Sequence, residues 1–286
     1  MKRLLLLAAL SCAAPVHAID PGTVQGSLRV NEKDIPLRHA YAHLHDNAEG
    51  LLDRPKELRI LVTDREVPQE SLIGIAFLPV EDLAREGRVE GLILKLHPDK
   101  PDSLTATLLR APAEPGMSLL TQTKRATGGK LFSDWKFAPT RVLGAIEHRD
   151  ERKQGSADFP ALAYSIRFSA PVFNEPAVTA DLKGKQARES PQVRALLERA
   201  RALGRGDFAA AKKLSSERAS RQIDRMVKML GANAAKQAKE GGAEMEKQLA
   251  TVERVVVRGE RAVAIYAKNE GWSTLARKDG EWKSDD

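Results

Sequence analysis

The residues of this 286-residue chain best suited to chemistry stand in one short run, Leu37-Arg38-His39-Ala40-Tyr41-Ala42-His43-Leu44-His45-Asp46. Read as a β-strand, its period of two places His39, Tyr41, His43 and His45 on one face. Neutral imidazoles two residues apart can share a metal ion, and zinc or copper sites on sheets take such a pair plus a ligand from a neighbouring strand. His97 and His148 are the histidines left to supply that ligand, so His43 and His45 are the candidate metal residues. Against this, Ile35 and Leu37 share the same period and would carry that face into the core, leaving the histidines as sandwich-edge or satisfied polar groups. The structural role is the leading expectation. A catalytic histidine lacks partners, because Ser103, Ser118 and Ser133 show no nucleophile-elbow context. No catalytic residue and no cofactor other than that ion is expected. The chain has no Gly-rich phosphate loop, no His-Glu-x-x-His helix and no cysteine pair.

The elements that must position this run belong to a soluble, exported type of chain. Charged residues make up 30% and hydrophobic ones 42%, which excludes collagen-like, disulfide-knot and fully disordered classes. No stretch reaches the ~18 apolar residues of a membrane-spanning helix. Met1-Lys2-Arg3, the apolar run Leu4 to Leu10 and Val16-His17-Ala18 form a signal peptide over residues 1–18, with cleavage before Ile19. The alternative is a lipoprotein anchored through Cys12, since Ala9-Leu10-Ser11-Cys12 loosely matches a lipoprotein box, with Ala9 where Leu is usual. Either route implies a periplasmic or secreted protein with no transmembrane segment after signal removal. Cleavage also removes the single cysteine, which excludes thiolate metal sites. The net charge of +7 comes from basic residues that alternate with acids, and aromatics are 5%. Nucleic acid is therefore not an expected partner, while mild attraction to anionic envelope surfaces is.

Residues 19–178 read mostly as strands: Thr23–Val30, Ile35–His45, the alternating Leu58, Ile60 and Val62, Val89–Leu96, Leu104–Arg110, Met117–Thr123, Leu131–Phe137, Arg141–Glu147 and Tyr164–Val172. One short helix fits between Pro79 and Glu86. So many strands with so little helix predict an antiparallel sandwich or barrel. Polar residues 179–189 read as a linker between two separately folding domains. Beyond it, Ser190-Pro191 starts a helix carrying Val193, Leu196 and Leu197, and Asp207 caps a helix over Phe208–Leu214. Ala219–Leu249 is helical, with breaks expected at Gly231 and Gly241-Gly242. The region Ala232–Lys247 reads as solvated or partner-facing. Strands over Val252–Val257, Ala262–Ala267 and Trp272–Ala276 complete an α+β unit over 190–286.

That last third resembles small secreted domains of nuclear-transport-factor-2-like type. The likeness lies in Gly206-Asp207-Phe208-Ala209-Ala210-Ala211-Lys212, in Val257-Arg258-Gly259-Glu260-Arg261-Ala262-Val263 and in Leu275-Ala276-Arg277-Lys278-Asp279-Gly280-Glu281-Trp282-Lys283. It implies a cone-like fold around a pocket, which a few members use as isomerases or dehydratases with carboxylates or histidines inside the cone. Here the stretch has no histidine, Tyr266 is its only tyrosine, and Glu253, Glu260 and Glu270 read as solvated. The first part is similar to uncharacterised secreted bacterial β-rich proteins, which implies export and no activity. The expected function is a non-catalytic binding or scaffolding module of the cell envelope, its partner an envelope protein or a small apolar ligand. The alternatives are a hydrolase or isomerase using a pocket, and a metal-binding protein using the His39/His43/His45 strand.

Overall fold

The computed structural model describes residue 20 and residues 22–72, 78–111, 123–127, 131–150, 160–267 and 271–286. The leader with Cys12, and the expected strand over Met117–Thr123 up to residue 122, lie outside the described residues.

Alternation of apolar and polar residues starts the first sheet, and strands buried on both faces fill its middle. In β1 (Thr23–Val30), Val24, Leu28 and Val30 are buried while Gln25, Ser27 and Arg29 are exposed. It is joined by β2 (Lys33–Pro36), β3 (His39–His45), β4 (Glu57–Thr63), β5 (Gly91–His97), β6 (Lys100–Leu109), β7 (Thr123–Thr127), β8 (Phe132–Ala138), β9 (Arg141–Arg149) and β10 (Leu162–Asn174). The order across the sheet is β7-β6-β5-β4-β3-β1-β10-β9-β8, with β2 beside β1. Pairing is antiparallel except where the end of the long β10 runs parallel to β3, Val172–Asn174 against Ala42–Leu44. Leu104, Ala106 and Leu108 from near one end of that order share a single apolar cluster with Phe132 from the other. The sheet is therefore curled into an antiparallel half-barrel around its own core. The mainly β expectation holds at that level, and one curled sheet stands where a sandwich of two was the first alternative.

The expected strand Ile35–His45 is two strands, and the break matters. The chain leaves β2 at Pro36 and re-enters the sheet at His39, so the buried parity switches. Ile35 and Leu37 lie in the core with Ala40 and Ala42. His39, Tyr41, His43 and His45 project from the opposite face, not the same one as expected. Nor is β3 a sandwich edge, since β4 flanks it on one side and β1 with β10 on the other. That outer face is covered at one end by α1 (Leu78–Arg85), whose Val80 and Ala84 pack with Leu61, Ile93 and Leu109, and Tyr41 and Phe173 join them.

A second antiparallel sheet runs β11 (Ala180–Lys183), β12 (Val252–Arg258), β13 (Arg261–Tyr266), β14 (Trp272–Lys278) and β15 (Glu281–Ser284). With it come α2 (Gly184–Arg188), α3 (Pro191–Gly204), α4 (Phe208–Lys213), α5 (Glu217–Leu230) and α6 (Ala234–Ala250). Residues 179–189, expected as a linker, thus contain β11 and α2. Their few apolar side chains suffice because β11 is an edge strand, resting only Ala180 and Leu182 on the second core. Helix starts follow the expected chemistry: Ser190 Oγ accepts the Val193 N–H and Asp207 Oδ1 accepts the Ala210 N–H. Gly231 ends α5, but α6 runs straight through Gly241-Gly242. The reason is packing: a Cβ on Gly242 would stand 2.6 Å from the Ala200 carbonyl oxygen, so glycine lets α6 close on α3. Asp279 and Gly280 both take positive φ, 54° and 81°, which makes the two-residue hairpin between β14 and β15. Half-buried Trp282 follows it onto the core that holds Val193 and Leu196.

Candidate functional site

His43 and His45 stand on the outer face of the half-barrel sheet, on a strand flanked on both sides, and both are 0% exposed. After β3 the chain turns through Asn47 at φ 53°, and this brings the Asn47 N–H onto His45 Nδ1 at 2.9 Å. A neutral ring that accepts at Nδ1 carries its proton on Nε2. That nitrogen stands 3.5 Å from Glu49 Oε2 and 3.9 Å from Glu175 Oε1. His43 Nε2 is 3.2 Å from the same Glu175 oxygen. The β4 register adds Arg59 opposite His43 and Glu57 opposite His45, with Arg59 Nε donating to Glu57 Oε1 at 2.7 Å. Lys95 lies opposite Arg59 on β5.

Into this row comes a guanidinium from the second sheet. Arg258, at the end of β12, donates through Nε to Glu49 Oε1 at 2.7 Å, through Nη2 to Asp46, and through Nη1 to the Pro176 carbonyl at 2.6 Å. One turn of pleat away, Arg254 donates to the Ala48 and Glu49 carbonyls at 2.8 and 3.1 Å. Arg258 and Glu49 are 5% and 4% exposed, so both charges are withdrawn from water and must be satisfied by each other.

The electrostatics follow from that withdrawal. Burial pulls the His45 pKa below 6.5, and the charge of Arg59 pulls it further, against Glu175 and Glu49. Burial would weaken the Arg258 charge, but its bonds to Glu49 and Asp46 hold its pKa above the ordinary value. Burial would also raise the Glu175 carboxyl; the close His43 contact and the charges of His43, His45 and Arg258 outweigh it and hold it low. Lys95 is pulled down by burial and by Arg59.

This arrangement bears on the expected metal. Neither His97 nor His148 reaches the pair as a third ligand. His97 accepts the Asp99 N–H at its own turn, and His148 stacks against Tyr164 at 5.2 Å. The groups that meet the pair are instead carboxylates, and one atom from each of His45, Asp46 and Glu49 falls within 4.8 Å of the others. That spacing would suit an ion. Two features compete with it: Arg258 bonds both carboxylates, and no neutral tautomer leaves His45 Nε2 bare while Nδ1 takes the Asn47 N–H.

Sequence reasoning missed Glu49, Glu175 and Arg258. Glu175 lies just beyond the last expected strand of the first part, Tyr164–Val172, and Arg258 between the expected strands Val252–Val257 and Ala262–Ala267. Only Glu49, four residues beyond His45, carried a local hint.

Two other polar groupings deserve comparison. Inside the second unit, buried Arg199 donates to the Asp286 backbone oxygen at 2.7 Å and to Ser215 Oγ at 3.0 Å. Tyr266 shares a 2.5 Å hydrogen bond with Ser273, and burial raises the Asp286 carboxyl despite Arg199. Glu253 and Glu260 are exposed as expected, and Glu270 lies outside the described residues. On the half-barrel, a shallow open pocket is lined by residues including Arg29, Asp34, His148 and Tyr164. Its Arg29 and Asp34 bond each other, and burial pushes the Tyr164 hydroxyl up to about 12. No protein-family model, no curated protein and no solved structure matches the chain.

Proposed function

We propose that this protein is an exported, non-catalytic binding or scaffolding module of the cell envelope. In this reading the β-rich half-barrel and a small cone-like α+β unit of nuclear-transport-factor-2-like type over 190–286 are locked together by the histidine–carboxylate–arginine cluster. One observation carries the reading: the residues best suited to chemistry are buried, and Arg258 spends their carboxylates on a contact across 209 positions of sequence. Helices α3 and α6 against an antiparallel five-stranded sheet support the cone-like description. The leader residues support export.

A second reading has one observation in its favour, the 4.8 Å grouping of His45, Asp46 and Glu49, which would make the cluster a zinc or copper centre. Metal analysis of the purified chain separates the two. The lock requires well under one zinc or copper per chain and a melting temperature indifferent to chelator. A stoichiometric ion whose removal lowers the melting temperature would replace the lock with a metal centre.

A further inference from the structure

The charge of this chain is not spread over it. Residues 180–250 hold 16 Lys and Arg against 9 Asp and Glu, so the +7 of the whole chain resides in that one helical layer. At one end of the layer four segments meet: the end of α5, the 3-10 turn Gly231–Asn233, the start of α6 and the loop after α3. A Cβ on Gly206 would stand 3.7 Å from that of Ala235, which fixes the loop beside α6. Arg205, Lys228, Lys236 and Lys239 are exposed there. Arg201, Lys212 and Lys247 are paired with Glu246, Asp224 and Glu244. The four at the tip, by contrast, form no ion pair among the described residues.

Next to Lys228 on α5 stands Met229, 65% exposed, with Met226 and Leu230 half-buried on the same helix. A large apolar side chain in water, at the end of the layer where these cations outnumber the exposed acids Asp207 and Glu240, suits a partner that is anionic at its surface and apolar just beneath. We propose that this tip docks on a bilayer containing anionic phospholipid, the cations meeting headgroup phosphates and Met229 entering the acyl boundary. Nucleic acid fits less well, because Phe208 is the one aromatic of residues 180–250 and it packs into a helix core rather than offering a stacking face. The contact is peripheral: among the described residues no helix is long and apolar enough to cross a membrane. It uses none of the residues of the buried cluster and stands or falls independently of the proposed function.

Co-sedimentation with vesicles tests it. The chain should bind phosphatidylglycerol–phosphatidylcholine vesicles, bind phosphatidylcholine vesicles far less, and release as salt rises. A surface cation near such a membrane is worth roughly fivefold in affinity, so Lys228→Gln with Lys236→Gln should weaken binding by on the order of 25-fold. Met229→Ser should weaken it too, and the loss should persist in high salt, where the charge contribution is screened. Because these side chains are exposed, all variants should melt as the parent does. Equal binding to both vesicle types, or parental binding by the double Gln variant, would overturn the proposal. So would tighter binding of a short DNA duplex that is indifferent to Met229→Ser, which would assign the tip to nucleic acid instead.

Discussion

Two ionic bridges join the half-barrel to the helices and strands that follow it, and they differ in how the buried carboxylate is shared. In the first, Arg258 bonds Glu49 with both partners almost wholly withdrawn from water. In the second, three arginines converge on Asp82 of α1: Arg218, Arg225 and its helix neighbour Arg85, at 3.3, 3.3 and 2.6 Å. Asp82 and Arg218 are buried, with 6% and 9% of their side chains exposed, while Arg225 and Arg85 keep about a third in solvent (38% and 33%), and Arg225 also approaches Glu86. Water and ions screen the two part-exposed pairs and Arg218 backs them, whereas buried Glu49 is hydrogen-bonded by the one guanidinium of Arg258. Similar residue types therefore make two different devices. The first rests one buried carboxylate on one buried guanidinium, and the second shares a buried carboxylate among three guanidinium groups, two of them part-exposed.

The largest expected effect follows from that contrast. Arg258→Ala strands Glu49 as an uncompensated buried charge and should cost about 3–5 kcal/mol, read as a shift in denaturant midpoint. A loss under about 1 kcal/mol would place Arg258 in the same category as the exposed pairs. Trp282→Ala comes next. The ring is half-buried beneath Arg277, so the loss should fall to about 2–3 kcal/mol, below the range for a fully enclosed aromatic. Arg225→Ala should cost less than about 1 kcal/mol, and less still in high salt. If it matched Arg258→Ala, the distinction between the bridges would fail.

A pH titration sharpens the comparison without mutation. Burial lowers the His45 pKa below 6.5, so between its folded and unfolded values the unfolded chain binds the extra proton. Stability therefore rises with pH through that window and is lost as pH falls from about 6.5 toward the folded value. Asp46 and Glu175, held below their ordinary 3.8 and 4.5, are stabilising above those values and lose that contribution at more acid pH. His45→Gln should remove the first slope and leave the acid limb in place. Parental slope in that variant would assign the transition to another group.

Much of the fold was legible because it rests on local rules. The Ser190 and Asp207 caps, the Asp279-Gly280 hairpin and the alternation of β1 each involve residues within a few positions of one another. The misreadings arise where distance decides. Gly242 looks like a helix breaker until α3 lies against it, and 179–189 looks like a linker because an edge strand needs few apolar residues. The face assignment of His43 and His45 failed at one point, the break between β2 and β3, where the buried parity reverses after Leu37. The histidines themselves were visible in sequence. Their carboxylate and arginine partners were not, since Glu175 and Arg258 reach them only through the parallel end of β10 and the second sheet. The charge concentration in 180–250 was present in the sequence throughout, but an average over the whole chain conceals it.

The central claim is that Arg258 and Glu49 act on each other across the two sheets. A double-mutant cycle measures this directly: unfolding free energies of the parent, Arg258→Ala, Glu49→Ala and the double variant in one buffer. Mutual dependence of a buried pair predicts a coupling of at least about 1.5 kcal/mol, with the double variant less destabilised than the sum of the singles. Additivity within about 0.3 kcal/mol would mean that the two residues contribute separately, and the lock between the sheets would not exist.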